Sequence, residues 1–205
     1  MKRITLSALL LSAAWLHAEN EEGLVTLYNG KDLTGFKTEG NWIPEADGVL
    51  AIKPREGEKG WQRYGSYLWL EKEYADFIFS VDFKYPKGGN SGVYFRVKDP
   101  KSPVNTGIEA QILDSFGKKK LGQHDMGGII RTTGPSKNMS KPAGEWNTMV
   151  VTCKGSQLQV ELNGEQIIDI DLSTSAVKDR PLKGFIGLQD HGLVMWFRNI
   201  KIKEL

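Results

Sequence analysis

Residues 74–85 read Tyr-Ala-Asp-Phe-Ile-Phe-Ser-Val-Asp-Phe-Lys-Tyr. Phe77, Phe79, Val81, Phe83 and Tyr85 fall on one side of an extended chain, and Ile78, Ser80, Asp82 and Lys84 on the other. An apolar period of two marks a strand with one face on a core. Working outward, Pro86-Lys87-Gly88-Gly89-Asn90 is a turn. After it, Val93, Phe95 and Val97 alternate with Tyr94 and Arg96. Leu158, Val160 and Leu162 alternate with Gln157, Gln159 and Glu161. Asn163-Gly164 then joins 157–162 to 165–172, and Asn-Gly supplies the two positive-φ residues of a type I′ hairpin turn. Further strands are expected near 24–28, 49–52, 66–70, 108–113, 147–153, 185–189 and 195–203. That makes about ten to twelve strands without crossover helices or a linker, the pattern of an antiparallel sandwich. The longest stretch without a strand pattern, 115–144, is expected to be a functional loop.

Composition narrows the class. The chain has 205 residues, 40% of them hydrophobic and 25% charged, which suits one globular domain with a sizeable core. A single cysteine excludes an internal disulfide framework and a Cys-rich zinc module. Cys153 lies in an apolar strand and is read as a buried free thiol. Met1-Lys2-Arg3, the apolar run 4–16 and Ala18 have the layout of a secretory signal peptide over 1–18. The expected mature domain is then 19–205, periplasmic or secreted, with no membrane attachment after cleavage. Removing Lys2 and Arg3 leaves 25 basic against 25 acidic residues, so no basic patch for nucleic acid is indicated.

Several segments together resemble the 3-keto-disaccharide hydrolase family, formerly a domain of unknown function. They are Leu27-Tyr28-Asn29-Gly30-Lys31-Asp32-Leu33, Gly88-Gly89-Asn90-Ser91-Gly92 and Gly107-Ile108-Glu109-Ala110-Gln111-Ile112-Leu113-Asp114. Lys141-Pro142-Ala143-Gly144-Glu145-Trp146-Asn147, Ile186-Gly187-Leu188-Gln189-Asp190-His191-Gly192 and Phe197-Arg198-Asn199-Ile200 complete the set in the same order. The resemblance implies a concanavalin A-like jelly-roll sandwich of two antiparallel sheets, a secreted protein and a small carbohydrate ligand. That ligand would be a 3-keto sugar made by a separate oxidoreductase. One departure bears on substrate preference: where an aromatic is expected before Pro135-Ser136-Lys137, the chain has Ile130-Arg131.

On the expected strand at 108–113, Glu109 and Gln111 share the face opposite Ile108, Ala110 and Ile112. A carboxylate and an amide opposite the core make a candidate site; the alternative is a solvated polar face. Conventional retaining glycoside hydrolysis needs two carboxyl groups about 5 Å apart. Here Gln111 and Leu113 follow Glu109 on its face, so the second acid would have to be Asp190 from elsewhere. His191, beside Asp190, and His124, in the long loop, are candidate proton-transfer groups, against a capped turn and a solvated loop. Arg96 and Tyr94 share the non-core side of their strand, and Arg96 is read as a sugar or enolate ligand or a cross-strand ion pair. Lys137 is a further binding candidate. Trp61, in the polar loop 56–64, is the sugar-stacking candidate; Trp69, Trp146 and Trp196 could also stack, and Trp42 reads as core. No cofactor is evident. No cluster has metal-ligand spacing, and a divalent metal ion assembled from distant acids is left open.

The chemistry implied by the resemblance is cleavage of 3-ketoglycosides. A C3 ketone acidifies the hydrogen on C2; a base removes it, and the group on C1 leaves by β-elimination. Water then adds to the unsaturated sugar. This route needs one base, a proton donor for the leaving oxygen and a stabiliser for the enolate, not a paired nucleophile. Glu109 or His191 is the expected base, Asp190 or His124 the donor, with Arg96 and Gln111 orienting the sugar. Two other classes remain open in the sequence: a noncatalytic carbohydrate-binding module, and conventional hydrolysis by Glu109 and Asp190.

Overall fold

The computed structural model describes residues 23–205. The expected signal peptide lies outside these residues. Thirteen strands run along the described chain: β1 (Val25–Thr26), β2 (Phe36–Lys37), β3 (Trp42–Pro44), β4 (Leu50–Ile52), β5 (Leu68–Tyr74), β6 (Phe77–Lys84), β7 (Asn90–Val97), β8 (Ile108–Leu113), β9 (Asn147–Lys154), β10 (Gln157–Leu162), β11 (Glu165–Asp171), β12 (Gly184–Leu188) and β13 (Met195–Glu204). A single helical turn, α1 (Pro103–Thr106), interrupts the β7–β8 connection.

All pairings are antiparallel. One sheet runs β11-β10-β9-β6-β13-β4-β3, with β1 also on β13; the other runs β2-β5-β12-β7-β8. This is the two-sheet, concanavalin A-like sandwich. The stretch 74–85 proves to be two pieces. Tyr74 ends β5, Ala75-Asp76 turns the chain, and β6 carries the alternation. Phe77, Phe79, Val81 and Phe83 are at most 1% exposed between the sheets. Asn163 (φ 54°) and Gly164 (φ 82°) form the expected hairpin turn. Cys153 is buried and reduced, its thiol pushed up to about 12 by burial. Trp42 is in the core.

Regular alternation fails at one place that matters for the site. Between the partners Phe185↔Val97 and Gly187↔Tyr94, the three residues of β12 face four of β7. The extra residue is absorbed at Arg96, which takes a left-handed φ of 51°. Such a bulge re-aims the residues around it. Val97 joins Tyr94, Tyr67 and Trp69 on the outer side of the sheet. Arg96 turns away from Tyr94 and is fully buried. Its guanidinium donates to the carbonyls of Ala75 (3.2 and 3.0 Å) and Gly155 (2.7 Å) and to the Asp76 carboxylate (3.2 Å). It therefore joins turns of the two sheets.

The segment 115–144 contains no strand but is tied to the sheet. Gly127 N donates to Gln111 O (2.7 Å), Gln111 N to Gly128 O (2.8 Å) and Ile130 N to Glu109 O (3.1 Å). Residues 127–130 thus cover the β8 edge, which would otherwise offer unpaired main-chain groups.

Candidate active site

Ile108, Ala110 and Ile112 enter the core, so Glu109 and Gln111 stand on the opposite face of β8, as alternation requires. There a cleft of about 460 Å³ opens, and Glu109 and Gln111 form part of its wall. Trp61, Tyr94, His124 and His191 also line it. Of the nine residues expected at the site, these six converge from β7, β8 and three separate loops. Leu188 and β12 lead directly into Gln189 and the 190–192 turn, which brings His191 to the cleft.

The Gly88–Gly92 motif has a physical reason. Gly88 (φ 73°) makes the turn before β7. Ser91 Oγ donates to the Gln189 carbonyl at 2.7 Å. A β-carbon at Gly92 would meet Glu109 Oε1 at 2.4 Å, so the glycine is what leaves room for the carboxylate. Glu109 and Tyr94 are cross-strand partners. Burial pushes the Glu109 carboxyl up to about 7, an effect that the Tyr94 hydroxyl partly offsets. Burial and the Glu109 charge drive the Tyr94 phenol upward, so it remains a proton carrier. Gln189 Nε2 donates to Glu109 Oε1 (3.3 Å) and Tyr67 Oη (3.1 Å), and Tyr67 Oη donates to the Trp61 carbonyl (2.7 Å).

The Asp190 carboxylate is wholly buried and does not line the cleft. It pairs with Arg63 (3.3 Å) and accepts from Gly192 N (2.7 Å). Burial raises its pKa, opposed by the Gly192 bond and Arg63. Gly60 N donates to the His191 carbonyl at 3.1 Å, which fixes the Trp61 loop against the same turn. Asp190 therefore sits behind the His191 turn and does not face the cleft. Burial lowers the His191 pKa, leaving its imidazole neutral around pH 7.

Two further expectations are corrected. Arg96 is diverted by the β7 bulge into the sheet-to-sheet contacts described above. Lys137 is held on the surface in an ion pair with Glu165 of β11, away from the cleft. Of the tryptophans, Trp69 is 6% exposed and backs a separate opening of about 630 Å³. Trp146 and Trp196 lie under Lys84 on the other sheet, with ammonium-to-ring distances of 5.0 and 4.9 Å, and Arg198 also covers Trp146 at 4.1 Å.

The sequence reading missed Asn90, Gln189 and Arg131 as cleft residues. The amide oxygens of Asn90, Gln111 and Gln189 are buried without a hydrogen-bond partner. Buried polar atoms are ordinarily paired with protein or ordered water, so three such acceptors in one cleft are open to donors from water or a ligand. The quoted motifs already contained Asn90 and Gln189, and that was the available signal. Among the described residues no three His, Cys, Asp or Glu side chains group as metal ligands.

The outer face of this β-sandwich holds one raised carboxyl, two imidazoles, an accessible tryptophan and unpaired amides, the groups that a carbohydrate-active enzyme directed at glycosidic bonds uses. Residues 23–203 match the family model described as the 3-keto-alpha-glucoside-1,2-lyase-like domain, and the chain belongs to that family. It is 26% identical to a 3-keto-disaccharide hydrolase of Bacteroides thetaiotaomicron, over 90% of this chain and 79% of that protein. Two crystal structures of candidate glycosyl hydrolases from Parabacteroides distasonis resemble it in fold. One has a TM-score of 0.76 at 31% identity, covering 89% of this chain and 99% of that one. The other has a TM-score of 0.74 at 28% identity, covering 92% and 96%.

Proposed function

We propose that this protein cleaves 3-ketoglycosides by elimination across C1 and C2 followed by hydration, with Glu109 as the base. The observation that carries this reading is the solitary, raised carboxyl of Glu109. A general base works best with a pKa near the working pH, and about 7 meets that condition. Among the described residues no second carboxylate lines the cleft with Glu109, since Asp190 is occupied by Arg63 and Gly192. Double-displacement hydrolysis lacks its partner there; elimination does not need one.

Glu109 takes the C2 proton and the C2–H electron pair moves onto the C3 oxygen as an enolate. The enolate then collapses to the ketone, forming C1=C2 as the C1–O bond breaks and the departing glycosidic oxygen gains a proton, and water adds across C1=C2. His191 hydrogen-bonds the sugar, and His124, on the same cleft wall, protonates the leaving oxygen. The free oxygens of Gln111, Gln189 and Asn90 accept from sugar hydroxyls, and Trp61 covers a ring face. The family's description as 1,2-lyase-like and the relative's name as a hydrolase are both accommodated by elimination followed by water addition. Export to the periplasm or medium, and supply of the keto sugar by a separate oxidoreductase, belong to the same proposal. The deciding experiment compares a 3-ketoglucoside with its C3-hydroxyl parent, following free sugar. Turnover of the ketone alone is expected. Equal turnover of the parent would overturn the elimination route, because its C2 hydrogen is not acidic.

A further inference from the structure

Arg131 stands in the cleft at the tip of a tightly closed turn. Ile129 and Thr133 exchange main-chain bonds of 2.9 and 3.1 Å, and Thr132 N donates to Ile129 O at 3.0 Å. The turn is fastened to the strand of the proposed base, through Ile130 N to Glu109 O. Arg131 itself has φ 65°, a left-handed conformation that costs a non-glycine residue about 1–2 kcal/mol. Glycine would remove that strain, yet the position holds a long cation. Among the described residues Arg131 makes no ion pair. Its neighbour in charge, Arg180, makes none either and is bonded through Nη2 to the Val104 carbonyl at 3.1 Å. Both arginines border the recess leading off the cleft beside Glu109 and Tyr94. Burial and the Arg131 charge together depress the Arg180 pKa. An exposed arginine alone would be unremarkable. A strained one beside a second guanidinium, neither of them ion-paired even though Glu109 borders the same recess, lacks a counter-ion.

We propose that Arg131, backed by Arg180, selects substrates bearing a carboxylate, so that the preferred ligands are acidic glycosides. A planar guanidinium fork matches a carboxylate with paired hydrogen bonds. The inference rests on the elimination reading only for its choice of substrates. The carboxylate has two possible sources, the sugar's C6 or the leaving group, and the probes separate them.

The test uses three 3-ketoglucosides: a neutral phenyl glycoside, a para-carboxyphenyl glycoside, and a phenyl glycoside with a carboxylate at C6. One acidic probe is expected to exceed the neutral one in kcat/KM by at least about tenfold, the scale of one charge-assisted hydrogen bond. The favoured probe identifies the source. Arg131→Gln should bring that ratio close to one, Arg180→Gln should reduce it, and salt at about 0.5 M should reduce it in the unaltered protein. Arg131→Gly, which relieves the backbone strain, should lose the preference without lowering Tm. No acid preference, or one unchanged in Arg131→Gln, overturns the proposal; so does Arg131→Gly that lowers Tm while keeping the preference. Calorimetry with the three C3-hydroxyl parents reads the same ratio as binding. If no ketone is turned over, the elimination reading falls while this comparison still decides the role of Arg131.

Discussion

Gly92 supplies the space that the Glu109 carboxylate occupies: a β-carbon there would lie 2.4 Å from Oε1, 3.1 Å from Cγ and 3.2 Å from Cδ. The two residues are on adjacent strands, with Gly92 paired to Gln111 and Tyr94 to Glu109. Gly92→Ala should therefore fold as the same sandwich and displace the carboxylate. A displacement on the ångström scale in a proton-transfer group lowers kcat by about a hundredfold. Retained far-UV circular dichroism with lost turnover is the expected result; full activity would mean that Glu109 is not held as described.

Glu109→Gln should lower turnover of a 3-ketoglycoside by at least about a hundredfold, the low end for a positioned base. It should also stabilise the protein at pH 8. The folded carboxyl, at about 7, lies above its ordinary value of 4.5, so stability present below pH 4.5 is lost as pH rises through 7. Removing the charge recovers about 1–3 kcal/mol of that loss. Denaturant melts of both forms at pH 5 and pH 8 check the sign: the gain must be larger at pH 8.

The same carboxyl sets the acid side of the activity profile. A base is active when deprotonated, so kcat/KM should rise with pH around a midpoint of about 7. A midpoint in the ordinary carboxylate range would show that burial does not raise the Glu109 carboxyl as described.

Asp190→Ala should cost about 1–3 kcal/mol, because it removes one of the two carboxylates paired with Arg63, leaving Glu58, and the acceptor of Gly192 N. Activity should fall through misplacement of His191. Asp190→Asn should recover much of the activity, since its amide oxygen can still accept from Gly192 N. If Asn is as inactive as Ala, the carboxylate acts in the chemistry itself.

Arg96→Met should destabilise by about 3–5 kcal/mol, since the Asp76 carboxylate and the Ala75 and Gly155 carbonyls lose their donor. KM for the sugar should stay within about twofold, since Arg96 is buried and not among the residues lining the cleft. A large rise in KM with unchanged Tm would restore it as a ligand residue.

Local periodicity determined much of this protein. The two-residue repeat in 77–83 set the core face of β6, the same repeat put Glu109 and Gln111 opposite Ile108, Ala110 and Ile112, and Asn163-Gly164 made the hairpin. These features depend on chain stereochemistry and on which side chains leave water, so they are legible in one stretch at a time. What the tertiary structure alone decided depends on residues far apart in the chain. The β7 bulge is a mismatch between Tyr94–Val97 and its neighbour β12, and it sends Arg96 to Gly155 and away from Tyr94. Asp190 left the cleft because Arg63, 127 residues earlier, comes to lie beside it. Glu109 acquired a pKa of about 7 from burial, a property of the assembled cleft and not of the Ile-Glu-Ala-Gln sequence. Arg131 entered the site because residues 127–130 pair with the edge of β8, a long-range contact that no local pattern encodes.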